Sequence, residues 1–398
     1  MFCQDVPDLR VRDLGLYVHV PFCVSRCAYC DFNSTAIADP PWHRWQAAVC
    51  AELRVRAPTF TDRKLQSIYF GGGTPSLVPK TVMAQILETA KATFSWRQQC
   101  EITVEANPAD LDIGGYEALR TLGVNRLSIG WQSSDSRVLQ VLGRRHGPAD
   151  GALAVQRARR AGFENVSVDL IFAVPGQTLA DLGNDVEAVL AAQPEHVSTY
   201  ELTYHSDTAL TRRRLRGEIV PVGEAMEIAM LRLIDVWLSQ VGFDRYEVSN
   251  YARPGYRAVH NSAYWCGDWY LGIGPGAHSF VESGWCRGWR WQSLSNLEQY
   301  LQTWEQPHAP GMPSESDRTV DWIEELTSRQ LMTERILCGL RTVDGVDLDE
   351  PVMRSFADEI RLAADDGVRR GWASRRGSRL CPTTQGLLYA DALAGLFF

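Results

Sequence analysis

Residues 19–32 read HVPFCVSRCAYCDF. Cys23, Cys27 and Cys30 stand at the spacing CxxxCxxC, and no fourth cysteine lies close by. A structural zinc site takes four ligands, usually drawn from two paired clusters. A disulfide takes two thiols and leaves one over. Three thiolates on one loop suit a [4Fe–4S] cube that keeps one iron open for a ligand. The competing readings are a partial zinc site and three incidental thiols.

Composition bounds the rest. The chain has 398 residues, 45% of them hydrophobic, enough for one large domain and a small one. Net charge is −8, so nothing global argues for nucleic acid or an anionic membrane as partner. Ten cysteines are too few for a disulfide scaffold of this length. Outside the motif, Cys3, Cys50, Cys100, Cys266, Cys286, Cys338 and Cys381 read as ordinary small residues. The start, MFCQDVPDLRVRDLG, does not resemble a signal peptide, and no apolar run approaches the ~20 residues of a membrane span. The expected location is the cytoplasm, where thiols stay reduced and free for metal.

Working outward from the cysteines, short β-like runs recur: LYVHV (16–20), SIYFGGG (67–73), CEITVEANP (100–108), RLSIGW (126–131), NVSVDLIFAVPG (165–176) and HVSTYEL (196–202). Helix-like stretches at 42–57, 80–94, 113–123, 150–162 and 179–193 separate them. Strand alternating with helix predicts βαβ units and a parallel sheet. Such a sheet gathers its functional residues at the C-terminal ends of its strands. The cysteines, Gly71-Gly72-Gly73-Thr74-Pro75, Glu105, Gln132 and Asp169 all fall at or near such ends. Polar residues in apolar strands are costly to bury without a partner. Arg144, in LGRRH, carries a fork suited to a carboxylate, and a carboxylate suits ribose hydroxyls. Satisfied core hydrogen bonds are the alternative for each of these residues, and an ordinary turn is the alternative for the glycines.

Residues 306–317, QPHAPGMPSESD, read as a linker between residues 1–305 and a C-terminal domain at 318–398. Two amphipathic helices, beginning at EELTSRQ and VMRSFAD, precede a basic, Gly-broken tail. Helices, then a hairpin, then a last helix predict a small, mainly helical, winged-helix-like domain.

YVHVPFCVSRCAYCDF resembles the cluster loop of the radical S-adenosylmethionine superfamily. The longer ordered set GGGTPS, VEANP, GVNRLSIGWQS, LGRRH, VDLIFAVPGQT, YEVSNYARPG, HNSAYW and YLGIGPGAHS resembles its coproporphyrinogen oxidase-like branch, over about residues 14–300. The resemblance implies an α/β fold, an incomplete (β/α)6 barrel. It implies a [4Fe–4S] cluster on Cys23, Cys27 and Cys30, with S-adenosylmethionine held by Tyr17, Gly72, Gly73, Thr74, Glu105, Gln132, Arg144 and Asp169. The oxidases of that branch carry CxxxCxxCxC and an extension before the first strand. Here Phe32 takes the place of the last cysteine, and the first strand starts near Leu16. The sequence is more similar to the haem chaperone group, HemW, which has CxxxCxxCxF and a His-Asn-x-x-Tyr-Trp element linked to haem. That element here runs from His260 to Trp265.

The resemblance thus implies haem as a third ligand, an acceptor haemoprotein, and an electron donor such as a flavodoxin or ferredoxin. His260 is the candidate iron ligand and His278 the second; a structural hydrogen bond is the alternative for His260, and a turn is the first reading of the Gly-Pro-Gly before His278. Trp131 stands where a smaller residue is expected, beside Gln132. Basic clusters at 157–160, 211–217 and 369–379 raise nucleic acid, but the net charge favours solvated faces. The favoured reading is a haem chaperone capable in principle of cleaving S-adenosylmethionine. The alternatives are radical decarboxylation of coproporphyrinogen III and, third, tRNA modification.

Overall fold

The computed structural model describes residues 13–398. Cys3 lies outside the described residues. Strands β1 (Leu14–Val20), β2 (Lys64–Gly72), β3 (Ser95–Ala106), β4 (Arg126–Gln132), β5 (Val166–Phe172) and β6 (His196–Glu201) lie side by side in chain order, all parallel. They are the six strands read from the sequence. Parallel neighbours need crossovers, and α1 (Trp42–Arg56), α2 (Lys80–Thr93), α3 (Ile113–Thr121), α4 (Ser136–Leu142), α5 (Asp150–Arg160) and α6 (Leu179–Ala192) supply them. Local chemistry starts several of these helices. Asp112 and Asp135 cap α3 and α4, and Thr178 with Asp181 forms a capping box on α6.

The strands alternate apolar and polar. Leu14, Leu16, Val18 and Val20 are fully buried in a core shared with Trp45 and Leu53 of α1. The intervening positions form a polar face: Tyr17 is in register with Tyr69, Glu105 with Ser128, and Asp169 with Ser198. A parallel sheet covered on both faces reads as continuous apolar runs. Here one face lines a barrel interior, so period two survives.

The sheet has 12 strands and is open. β7 (Asn250–Ala252) runs antiparallel beside β6, with Asp244–Arg245 beyond it. On the other side β8 (Trp269–Ile273) is parallel to β1, and β9 (His278–Ser283), β10 (Arg287–Ser293) and β11 (Val320–Thr327) continue as an antiparallel meander. The two edge strands do not pair with each other, which leaves the barrel incomplete. After β6 come α7 (Ala209–Leu215), α8 (Glu224–Gln240), α9 (Val259–Cys266) and, after β10, α10 (Leu297–Trp304).

EELT, read as the start of a helix, is instead the end of β11; its backbone pairs with β10, and α11 (Ser328–Gly339) begins only at the Thr327 cap. Residues 306–317 are irregular but fastened to α1, where buried Arg56 donates to Gly311 O at 3.0 Å and to Asp317 at 3.1 Å. Beyond α11 lie α12 (Pro351–Arg354), α13 (Ala357–Arg369) and a three-stranded sheet ending in the hairpin Ala373–Arg376 and Arg379–Pro382. Their core of Ile336, Met353, Ile360 and Leu380 also takes Phe280 and Leu326 from the large sheet.

Candidate functional site

The parallel strands deliver their C-terminal ends to one cavity of about 420 Å³. Cys23, Cys27 and Cys30, Gly72, Gly73 and Thr74, Glu105, Gln132, Arg144 and Asp169 all line it. The three thiols are free. Their loop is tied down at several points. Thr35 N donates to Pro21 O at 2.7 Å and Ala28 N to Leu142 O at 3.0 Å. The Asn33 amide donates to Pro275 O and Ser295 O at 3.0 and 2.9 Å, joining the loop to the turns of the meander. Among the described residues no three His, Cys, Asp or Glu side chains cluster as for a single metal ion. A four-iron cube, bound at one thiolate per iron, spreads its ligands more widely.

Gly73 is required by close approach: a Cβ there would stand 2.6 Å from Phe22 O and 3.0 Å from Cys23 Sγ. Gly72 has φ +107, a conformation that suits glycine, and its N–H donates to Glu105 at 3.2 Å. Tyr69 Oη also donates to Glu105, at 2.7 Å. Burial pushes the Glu105 carboxyl up to about 7 despite these two donors. Burial likewise raises Asp169, which accepts from Ser128 Oγ at 3.1 Å.

Arg144 bridges the two halves of the site. It donates to Asn107 Oδ1 at 2.7 Å and Gly130 O at 2.8 Å, and its other terminal nitrogen is 3.6 Å from Cys27 Sγ. Gln132 sits at φ +67 at the end of β4, and its buried Oε1 has no hydrogen-bond partner among the described residues. An orphaned acceptor, two half-buried carboxylates and a guanidinium around three thiols fit a ligand carrying an amino-acid group and ribose hydroxyls.

Three predicted residues are elsewhere. Tyr17 is not on the cavity wall; its hydroxyl is 3.0 Å from His19 Nδ1 and its ring is stacked on Tyr69, which is. His260 is on α9, only 2% exposed, with Nδ1 2.9 Å from Ser67 Oγ and Nε2 3.2 Å from Tyr264 Oη. Burial, then Arg126, pushes its imidazole down to about 3, so it is neutral at pH 7. His278 is on β9 with its ring against Trp322, at 5.6 Å. None of the three lines the cavity. Trp131 does not alter the pocket either: its indole packs over Gly151 of α5 and donates to Ser134 Oγ at 3.0 Å.

Sequence reading passed over Tyr69, Asn107, Ser128, Tyr200 and His205, all on the cavity wall. Tyr69, Ser128 and Tyr200 share the inward parity of their strands with Asp169, a signal present in the alternation. His205 follows β6 on a loop, where no period marks it. The basic clusters contain arginines held by acids of the same chain: Arg159 by Glu195 at 2.6 Å, Arg216 by Glu218, Arg370 by Asp366 at 2.8 Å and Arg375 by Asp365 at 3.0 Å.

A three-cysteine loop at the mouth of an open parallel barrel defines the radical SAM class, and the Radical SAM superfamily model matches residues 17–189. That class carries a [4Fe–4S] cluster and S-adenosylmethionine. The chain belongs to the HemW family within it. It is 35% identical to the protein named heme chaperone HemW of Mycobacterium tuberculosis, across 96% of this chain and 94% of that one. With the heme chaperone HemW of Escherichia coli K12 it shares 30% identity, across 98% and 99%. The solved structure of E. coli coproporphyrinogen III oxidase, HemN, a radical SAM enzyme, superposes with a TM-score of 0.78 at 23% identity, covering 97% of this chain and 90% of that one. At that identity the likeness speaks for the fold alone.

Proposed function

We propose that this protein is a haem chaperone that binds a [4Fe–4S] cluster, S-adenosylmethionine and haem, and passes haem to acceptor haemoproteins. The observation that carries the reading is the cavity itself. It joins the three free thiols to Gly72, Gly73, Thr74, Glu105, Gln132, Arg144 and Asp169 in a chain of the HemW family. Phe32, not a cysteine, stands two places beyond Cys30 and lines the cavity as an exposed residue.

In this reading Cys23, Cys27 and Cys30 hold the cluster, whose chemistry is one-electron reduction of the sulfonium cofactor. The chain's own groups position that cofactor. Glu105 and Asp169 accept from its hydroxyl or ammonium groups, Arg144 neutralises its carboxylate, and the glycines of β2 let it lie against backbone. Arg144, 3.6 Å from Cys27 Sγ, would hold that carboxylate near the thiolate loop. A low-potential carrier of the flavodoxin or ferredoxin type supplies electrons, and the reducing cytoplasm keeps the thiols available. No helix among the described residues is long and apolar enough to cross a membrane.

The test is an anaerobic titration of the reconstituted protein with haem, read at the Soret band. Saturation near one haem per chain is the expected result. The absence of saturable binding contradicts the chaperone and directs assay to decarboxylation of coproporphyrinogen III.

A further inference from the structure

All eight histidines lie within the described residues, and His205 alone lines the main cavity. Its surroundings are those of a metal-binding imidazole. Nδ1 is 3.0 Å from Asp31 Oδ2, while Nε2 makes no hydrogen bond to any described residue. Ligating histidines usually present one ring nitrogen to a carboxylate, which sets the tautomer and the ring angle for the other. The ring is 45% exposed, at the mouth rather than the floor.

The backbone behind it is fixed. Thr208 donates to His205 O from both its N–H, at 3.2 Å, and its hydroxyl, at 2.9 Å, and the same hydroxyl caps α7. α7 in turn is tied to the cysteine loop, since Leu210 N donates to Ala28 O at 2.8 Å and Leu210 packs in a small core with Ala28 and Tyr29. His205 is thus held in register with Cys27 and Cys30.

The mouth also suits a flat macrocycle with acidic tails. Phe32 and Tyr200 line it as residues 55% and 42% exposed, and aromatic side chains favour stacking on a porphyrin. Arg26 lines it too, and its one side-chain hydrogen bond, 3.4 Å to Phe32 O, leaves donors free for a propionate. The other histidines fit less well. His260 is buried with both nitrogens engaged, and His278 has no carboxylate partner among the described residues and lies outside the cavity.

We propose that His205 supplies the axial imidazole to haem iron at the cavity mouth, with Asp31 orienting its ring. The proposal rests on the haem-chaperone reading. The Nε2 lone pair goes to iron, Nδ1 keeps its proton facing Asp31, and no electron changes hands. Haem held there stands beside the cluster loop, because Asp31 directly follows Cys30.

The test uses the full chain titrated with haemin, as prepared without cluster and after reconstitution. His205→Gly lowers haem affinity at least about 10-fold and shifts the Soret band. Millimolar imidazole added to His205→Gly restores the wild-type spectrum, which a merely structural role would not produce. Asp31→Asn, measured without cluster, weakens binding about 10-fold while keeping an imidazole-type spectrum. A His205→Gly variant with wild-type affinity and spectrum overturns the ligand and leaves the chaperone standing. Loss of haem that imidazole does not restore also overturns it, assigning His205 to holding the loop. If the wild-type chain binds no haem, the chaperone reading itself falls and the ligand with it.

Discussion

Glu105 shows what a single residue contributes to this site. Its carboxyl is lifted to about 7 by burial, above its ordinary value near 4.5. Between those two values the folded chain holds a proton at Glu105 that the unfolded chain has released, so this residue's contribution to stability falls as pH rises and is least favourable above about 7. Glu105→Gln removes that slope. Relative to the wild type, the ligand-free variant gains stability between pH 5 and pH 8, by about 2 kcal/mol once the open cavity's water is allowed for. Denaturant unfolding at the two pH values measures it, and an unchanged difference contradicts the assignment. The position itself was legible: a glutamate in the run TVEANP is anomalous in a strand. Its partner Tyr69 was legible only as an inward position of its strand; that its hydroxyl reaches Glu105 is seen only in the fold.

At the scale of elements, the alternation of the six strands made their existence and order readable, and the cysteine, glycine and carboxylate positions followed from their ends. α9 was not readable in the same way. Its sequence VHNSAYWC carries motif residues, but only the fold shows why it stands where it does. Glu101 of β3 accepts from the first two N–H groups of α9, Val259 at 3.1 Å and His260 at 3.0 Å, and lies 4.0 Å from buried Arg126. A carboxylate at a helix N-terminus is favourable, and this one also balances a cation inside the barrel. His260 is therefore locked by its backbone as well as by both ring nitrogens. Glu101→Ala takes the acceptor from two buried helix N–H groups and removes the carboxylate 4.0 Å from Arg126, and lowers the unfolding free energy by about 2–3 kcal/mol. A loss under about 1 kcal/mol in urea unfolding contradicts this account of α9. EELT misled for the complementary reason: a short polar segment next to a good helix start has no period of its own, and pairing with β10 decides it.

At the scale of the whole molecule, the sheet extends past the barrel by the meander β8–β11, and the cysteine loop is clasped between the two through Asn33. Cavity, cluster loop and C-terminal core thus belong to one connected framework, as the shared packing of Phe280 and Leu326 shows. The central claim is that haem held by this framework is handed on rather than chemically altered. The most direct measurement mixes the reconstituted, haem-loaded chain with increasing amounts of a purified haem-free b-type cytochrome and follows the Soret band anaerobically. The account predicts intact haem appearing in the acceptor at a rate that rises with acceptor concentration, the mark of direct transfer. A rate independent of the acceptor, or haem that stays where it was loaded, would contradict it.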